Sequence, residues 1–151
     1  MRIFLSLSLI LVCIAVSCGN SEDKAIEDTL SVRNKAYETK DVNLYMTLIA
    51  PDYKQEKKGK VIGVEQIKKN FLTNVSLFDT IKLTNSERAI NIVGNKAEVT
   101  QITLVNAVVN NTKSRFKVND RIVLEKRNGK WLIVKESNAD FLEGFVFGES
   151  H

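Results

Sequence analysis

Apolar and polar positions change rhythm four times along the chain. An apolar run, Ile3 to Val16, broken only by serines, follows a single cation, Arg2. Polarity then rises and a helical period sets in from about Glu22 to Lys40. Ile26, Leu30, Arg33 and Tyr37 mark one stripe, with Ala25, Thr29, Val32 and Ala36 beside it. Asp41 reads as the N-cap of a short second helix, Val42 to Ala50, stopped by Pro51. A short polar strand, Asp52 to Lys57, turns at Lys58-Gly59 and resumes at Val61-Ile62. Gly63 then leads into a third helix with Val64, Ile67, Phe71, Leu72 and Val75 on one face. Past Leu77 the period falls from helical to alternating. Four strands are expected, 78–93, 96–109, 112–127 and 130–140, joined at Gly94-Asn95, Asn110-Asn111 and Asn128-Gly129. Asn and Gly tolerate the positive φ that tight hairpins require. Helices first and an antiparallel meander second predict an α+β domain, with three N-terminal helices packed on one face of the sheet.

Several stretches carry a more specific resemblance. They are the Asp41-capped short helix, the Ala50-Pro51-Asp52-Tyr53 entry to a strand, Gly59-Lys60-Val61-Ile62-Gly63-Val64-Glu65-Gln66-Ile67 opening a helix that ends near Phe71, and long hairpins closing on Asn128-Gly129-Lys130-Trp131-Leu132-Ile133. Over residues 22–140 the chain resembles the nuclear transport factor two-like superfamily, which includes ketosteroid isomerase, scytalone dehydratase and the SnoaL-type polyketide cyclases. The resemblance implies a cone-shaped fold with a curved sheet, the helices on its concave face, and a ligand pocket between them. Dimers formed through the sheet are common in that superfamily, so a homodimer is an expectation. A shared fold licenses no particular reaction.

Pairing the strands through two-residue turns sorts side chains onto faces, and a one-residue slip would invert every one. Trp131 then faces Lys126, Ile133 faces Leu124, Lys135 faces Ile122 and Ser137 faces Asp120. Across the next turn Phe116 faces Val105, Val118 faces Thr103 and Asp120 faces Gln101. The face so defined is mostly apolar and is expected to be the covered one. Arg88, Gln101, Thr103, Asp120, Lys135 and Ser137 form a polar island within it. A buried carboxylate needs a partner, and Lys135 or Arg88 is expected to pair with Asp120. With Tyr37 and Trp131 these residues make up a candidate ligand pocket. A satisfied structural network at a bend of the sheet is the competing account. A β-bulge in the first long strand, hinted at by Ile81 and Leu83 being out of phase, is expected to move Arg88 off this face.

Little supports catalysis. The one histidine is the final residue, His151, and there is no metal-spaced cluster of ligands and no glycine-rich phosphate loop. Tyr37 with Asp41 or Asp52 imitates the tyrosine-and-acids arrangement of isomerases of the superfamily. Asp41 also suits a helix cap and Asp52 a turn. No cofactor and no metal are expected. The domain is expected to be non-catalytic and to bind a small apolar or anionic ligand, or a partner protein. The alternatives are an isomerase, dehydratase or cyclase using Asp120, and a structural module of an envelope complex.

The amino terminus adds a location. The apolar run is shorter than the roughly 20 residues a spanning helix needs and has the charge and small-residue exit of a secretory signal. It ends Ala15-Val16-Ser17-Cys18-Gly19-Asn20, which resembles the lipobox of bacterial lipoproteins, with Ala15 where leucine is commonest. The resemblance implies cleavage before Cys18, a diacylglyceryl group on its thiol, and a domain tethered at the cell envelope, at the outer membrane or periplasmic face in a Gram-negative cell. The expected division is a signal over 1–17, the lipidated cysteine and tether over 18–24, and the domain over 25–148. Cys13 leaves with the signal, so no disulfide is expected. Loss of Arg2 lowers the formal net charge from +4 to +3. That mild charge, without a basic block interleaved with aromatics, argues against nucleic acid. Phe141, Leu142, Phe145, Val146 and Phe147 form an apolar tail expected to cap the pocket, pack on the sheet or meet a partner.

Overall fold

The computed structural model describes residues 18–57 and 59–137. The expected signal segment over 1–17 and the apolar tail over 141–151 lie outside these residues. Helix α1, Cys18–Thr39, starts four residues earlier than its periodicity suggested and takes in the stretch expected to be a tether. Its first turns are tied to the sheet: Glu22 accepts from Lys126 Nζ at 2.5 Å and from Trp131 Nε1 at 2.9 Å. Helix α1 ends when Lys40 turns left-handed, at φ 56°. The amides of Lys40 and Asp41 then return to the carbonyls of Tyr37 and Ala36, closing the last turn. Asp41 next caps helix α2, Val42–Met46, by accepting from the Leu44 amide at 2.9 Å.

Helix α2 is shorter than expected because residues 48–50 serve another purpose. The Ile133 amide donates to the Leu48 carbonyl at 2.7 Å, and the Ala50 amide to the Ile133 carbonyl at 2.9 Å. Ile49 thereby forms a parallel bridge to Ile133 and covers the edge of the last strand. Strands β1, Gln55–Lys57, and β2, Lys60–Ile62, make a small separate hairpin before helix α3, Val64–Ser76.

The main sheet is an antiparallel meander in the order β3, Thr80–Val93; β4, Lys96–Val109; β5, Thr112–Arg127; β6, Lys130–Glu136. The connecting residues Gly94, Asn110, Asn111, Asn128 and Gly129 all carry positive φ, the conformation their side chains tolerate best. Pairing between β4 and β5 follows the turn-based register, with Val105 opposite Phe116, Thr103 opposite Val118 and Gln101 opposite Asp120. Two β-bulges change the phase elsewhere. One lies between Ser86 and Ala89 of β3, where Glu87 has φ 50°. The other lies in β6, where Val123 pairs with Lys135 but Leu124 pairs with Ile133, leaving Val134 as the extra residue. The helices cover the inner face of this curved sheet, giving the α+β architecture expected from the pattern and the cone implied by the resemblance. Val99, Val105, Ile122, Leu124 and Ile133 are fully or nearly fully buried there. Tyr37, Tyr45 and Phe71 close the core from the helical side, with ring centroids 4.5–5.5 Å apart.

Candidate functional site

Arg33 sits in the middle of the apolar stripe of α1, one turn from Leu30 and one from Tyr37, so the helix must carry its guanidinium into the core. It is 1% exposed. Two acids meet it there. Its Nε donates to Glu136 Oε1 at 2.7 Å, and Nη1 stands 3.8 Å from Asp120 Oδ2. Burial opposes the charge on Arg33, but Glu136 and then Asp120 outweigh it and hold the guanidinium firmly protonated. Its guanidinium carbon lies over the Tyr37 ring, 5.3 Å from the centroid. Nη1 and Nη2 are buried without a hydrogen-bond acceptor.

The second oxygen of Glu136 accepts from the Tyr45 hydroxyl at 3.0 Å. Asp120 is held by its own strand layer: Thr103 Oγ1 donates to Oδ2 at 2.5 Å, and Gln101 Nε2 approaches the same oxygen at 3.4 Å. A directed chain of donors feeds this oxygen. Asn34 Nδ2 donates to Asn85 Oδ1, and Asn85 Nδ2 donates to Thr103 Oγ1 at 2.7 Å. On the other side Arg88 Nε donates to Gln101 Oε1 at 2.8 Å. Arg88 is half-buried and has no carboxylate within 4 Å among the described residues. Burial lowers its pKa, with Glu27 acting in the opposite sense from farther away.

Gln101, Thr103, Asp120 and Arg88 are therefore brought together on the inner face, as the turn-based register requires. Arg88 corrects one expectation: the bulge in β3 is present, yet Arg88 stays inward, in phase with the β3–β4 turn, and beyond the irregularity at Glu87 the shifted phase brings Asn85 in as well. The bulge at Val134 corrects another. It flips the phase of β6, so Glu136 instead of Lys135 stands opposite Ile122. Lys135 and Ser137 are exposed on the outer face, where Ser137 Oγ accepts from the Arg121 amide at 3.0 Å. The partner of Asp120 is accordingly Arg33 on α1, and neither Lys135 nor Arg88. Trp131 is buried but bonds Glu22 at the far end of the domain, away from the island. Tyr37 lies in the core beside Arg33. Asp41 is a helix cap, and Asp52 is an exposed partner of Arg127, at 2.6 and 3.0 Å. Neither acid joins Tyr37. Two site residues escaped the sequence reading. Arg33 had a signal, a cation inside an apolar helical stripe. Glu136 was hidden because no residue in Ile133-Val134-Lys135-Glu136 announces a bulge.

Chemically, both inner carboxylates are already engaged by a cation and by donors. They are shaped to hold charge in place, and neither offers a free base. Among the described residues no three His, Cys, Asp or Glu side chains converge to hold a metal.

Comparison with known proteins accords with this frame. The family model for the calcium/calmodulin dependent protein kinase II association domain matches residues 22–139. No curated protein matches the chain. Among solved structures, a putative association domain of the same description from Xanthomonas campestris is 26% identical. It aligns over 76% of this chain and 82% of its own, with a TM-score of 0.63. A nuclear transport factor two-like superfamily protein from Salmonella enterica is 20% identical over 79% of this chain and 90% of its own, at TM-score 0.70. A putative dehydratase of the same fold family from Streptomyces avermitilis is 11% identical over 78% of this chain and 94% of its own, also at 0.70. The last two likenesses concern the fold alone.

Two outcomes follow from the site. Replacing Arg33 with Leu leaves two buried carboxylates facing each other and is expected to cost about 3–5 kcal/mol in urea unfolding. Asp120→Asn keeps the shape and leaves Arg33 its bond to Glu136, so about 1–2 kcal/mol is expected. The opposite ranking would mean that Arg33 does not organise the cluster. The second outcome concerns the three tyrosines of the chain, Tyr37, Tyr45 and Tyr53, all at most 1% exposed. Burial first, with Glu136 adding to it for Tyr45 and Tyr53, raises their pKa values above the ordinary phenolic value of about 10. Above about pH 10 the unfolded chain loses phenolic protons that the folded chain keeps, so stability is full below that pH and falls as pH rises. The urea midpoint should drop between pH 9 and 11, and phenolate absorbance should appear only as the protein unfolds. Phenolate in the folded protein at pH 10 would contradict the buried cluster.

Proposed function

Because the chain belongs to the calcium/calmodulin dependent protein kinase II association domain family, we propose that its domain works by binding and not by catalysis. It holds a small anionic ligand against the inner face of the sheet, at a bacterial cell envelope to which lipid on Cys18 anchors it. The observation that carries the ligand reading is the buried Arg33 guanidinium, whose Nη1 and Nη2 lack acceptors. A buried donor without an acceptor costs about 1–3 kcal/mol. An incoming carboxylate or phosphate oxygen would remove that cost. Arg88 supports the same reading as a second inward cation, and with it the island of Arg33, Arg88, Asp120 and Glu136 is formally neutral. An anion therefore meets no net negative charge.

Engagement of Asp120 and Glu136 in ion pairs and hydrogen bonds disfavours the isomerase or dehydratase alternative. A general base must be within reach of the proton it removes and must not already be committed to a buried cation. The fold is shared with a putative dehydratase, which speaks for a pocket-forming architecture and for no particular reaction.

Thermal unfolding of the full-length protein in nonionic detergent tests the ligand. Butyrate is expected to raise the midpoint in a concentration-dependent way, butanol is not, and Arg88→Leu should remove the effect. Equal shifts with both compounds, or none with either, would overturn the anionic reading. The anchor is tested separately by expressing Cys18→Ser in a bacterium. Wild type is expected in the detergent phase on partitioning, and the serine variant is expected to stay unprocessed by the lipoprotein peptidase. Identical partitioning and migration of the two would remove the anchor.

A further inference from the structure

The outer face of the sheet holds a second group of charges, independent of the island. Strand alternation sends Lys82 of β3 and Lys113, Arg115 and Lys117 of β5 outward, and all four are exposed. The register sets them in rows. Lys82 pairs with Asn106 of β4, and Asn106 pairs with Arg115. One row nearer the β4–β5 hairpin, Thr80 and Lys113 flank Val108 in the same way. One row farther in, Lys117 lies opposite Leu104. With neighbouring strands about 4.8 Å apart, the backbones of Lys82 and Arg115 stand roughly 10 Å apart across Asn106.

Between these rows lies a cleft of about 350 Å³, lined by Thr80, Lys82, Asn106, Lys113 and Arg115 among others. That volume falls in the size range of small-molecule sites. Toward the other end of the strands, three cations are matched. Arg121 bonds Glu98, Lys96 meets Glu125, and Arg127 is held by Asp52 and Glu125. Around the cleft none of the four cations has a carboxylate within 4 Å among the described residues. Asp79, the acid just before β3, is turned instead to the Asn111 amide at 3.2 Å. Like charges gathered along one face of β5, with another two strands away on β3, oppose one another, and a bound anion relieves that repulsion. Arg115 offers a planar fork of donors, the lysines offer point charges, and Asn106 and Thr80 supply neutral donors.

From this placement we infer that the outer cleft at the β4–β5 end is a binding site for a phosphate-bearing anion with at least two negative charges. It is separate from the inner-face site, and failure of either leaves the other standing. Phosphate is favoured over a lone carboxylate because three cations, Lys82, Lys113 and Arg115, line one cleft, and a phosphate group presents more charge and more acceptor oxygens to them.

Titration calorimetry of the full-length protein in nonionic micelles, with pyrophosphate as the probe, tests it. Wild type is expected to show saturable binding. The double variant Lys82→Gln/Arg115→Gln should weaken it by about tenfold or more, since two charge-assisted contacts are lost. The equally discharged control Lys130→Gln/Lys135→Gln should stay within about twofold. Circular dichroism confirms that the variants fold, and Lys113→Gln alone, expected to weaken binding in the same direction, serves if the double variant does not. No binding by wild type, or equal losses in the test and control variants, would overturn the site. Adding phosphatidylglycerol to the micelles separates the two sources of the phosphate. Displacement of pyrophosphate assigns the cleft to a lipid headgroup, and an unchanged titration assigns it to a soluble phosphate compound; both support the site.

Discussion

The burial of Arg33 is the constraint around which the domain is arranged. A guanidinium fully inside a protein is unfavourable by several kcal/mol unless partners compensate. Here the partners come from the two last strands, Asp120 on β5 and Glu136 on β6. One side chain on the first helix thus ties together elements 87 and 103 residues away in sequence. Replacing the cluster with apolar residues of similar volume would cost little and could even stabilise the fold. What the cluster adds is specificity. It selects one seating of α1 on the sheet, because any other rotation of the helix leaves two acids and a cation unmatched.

The polar cluster coexists with a dense aromatic layer. Tyr45 belongs to both, stacking on Phe71 and donating its hydroxyl to Glu136. The apolar packing excludes water, and exclusion of water strengthens every charge interaction inside. The same exclusion makes an unmatched donor on Arg33 costly, and that cost is what the proposed anionic ligand would relieve.

Much of this was legible from residue pattern. The long strands, the positive-φ turns and the pairing of Gln101 with Asp120 follow from alternation and from Asn and Gly placement, which are local signals. The bulge at Val134 was not legible. It is set by a tertiary demand: residues 48–50 must run beside Ile133 and exchange hydrogen bonds with it, and the strand shifts phase just after that contact. That one extra residue exchanged Lys135 for Glu136 on the inner face and with it reversed the sign of the charge there. The partner of Asp120 was missed for a related reason. Strand register relates neighbours within the sheet, whereas Arg33 arrives from a helix whose docking no register describes.

The early start of α1 has a mechanical consequence. A domain hung on a slack peptide tumbles freely above its support and presents all its faces in turn. Here the helix is continuous from Cys18 into the core, and Glu22 clamps its first turn to Lys126 and Trp131. With lipid on Cys18, as proposed, only the three residues between it and that clamp could act as a swivel. The domain would then stand at a nearly constant height and tilt, like a lever fixed at its base. The β4–β5 hairpin, at the opposite end of a helix about 33 Å long, would be the part that projects farthest from the attachment point.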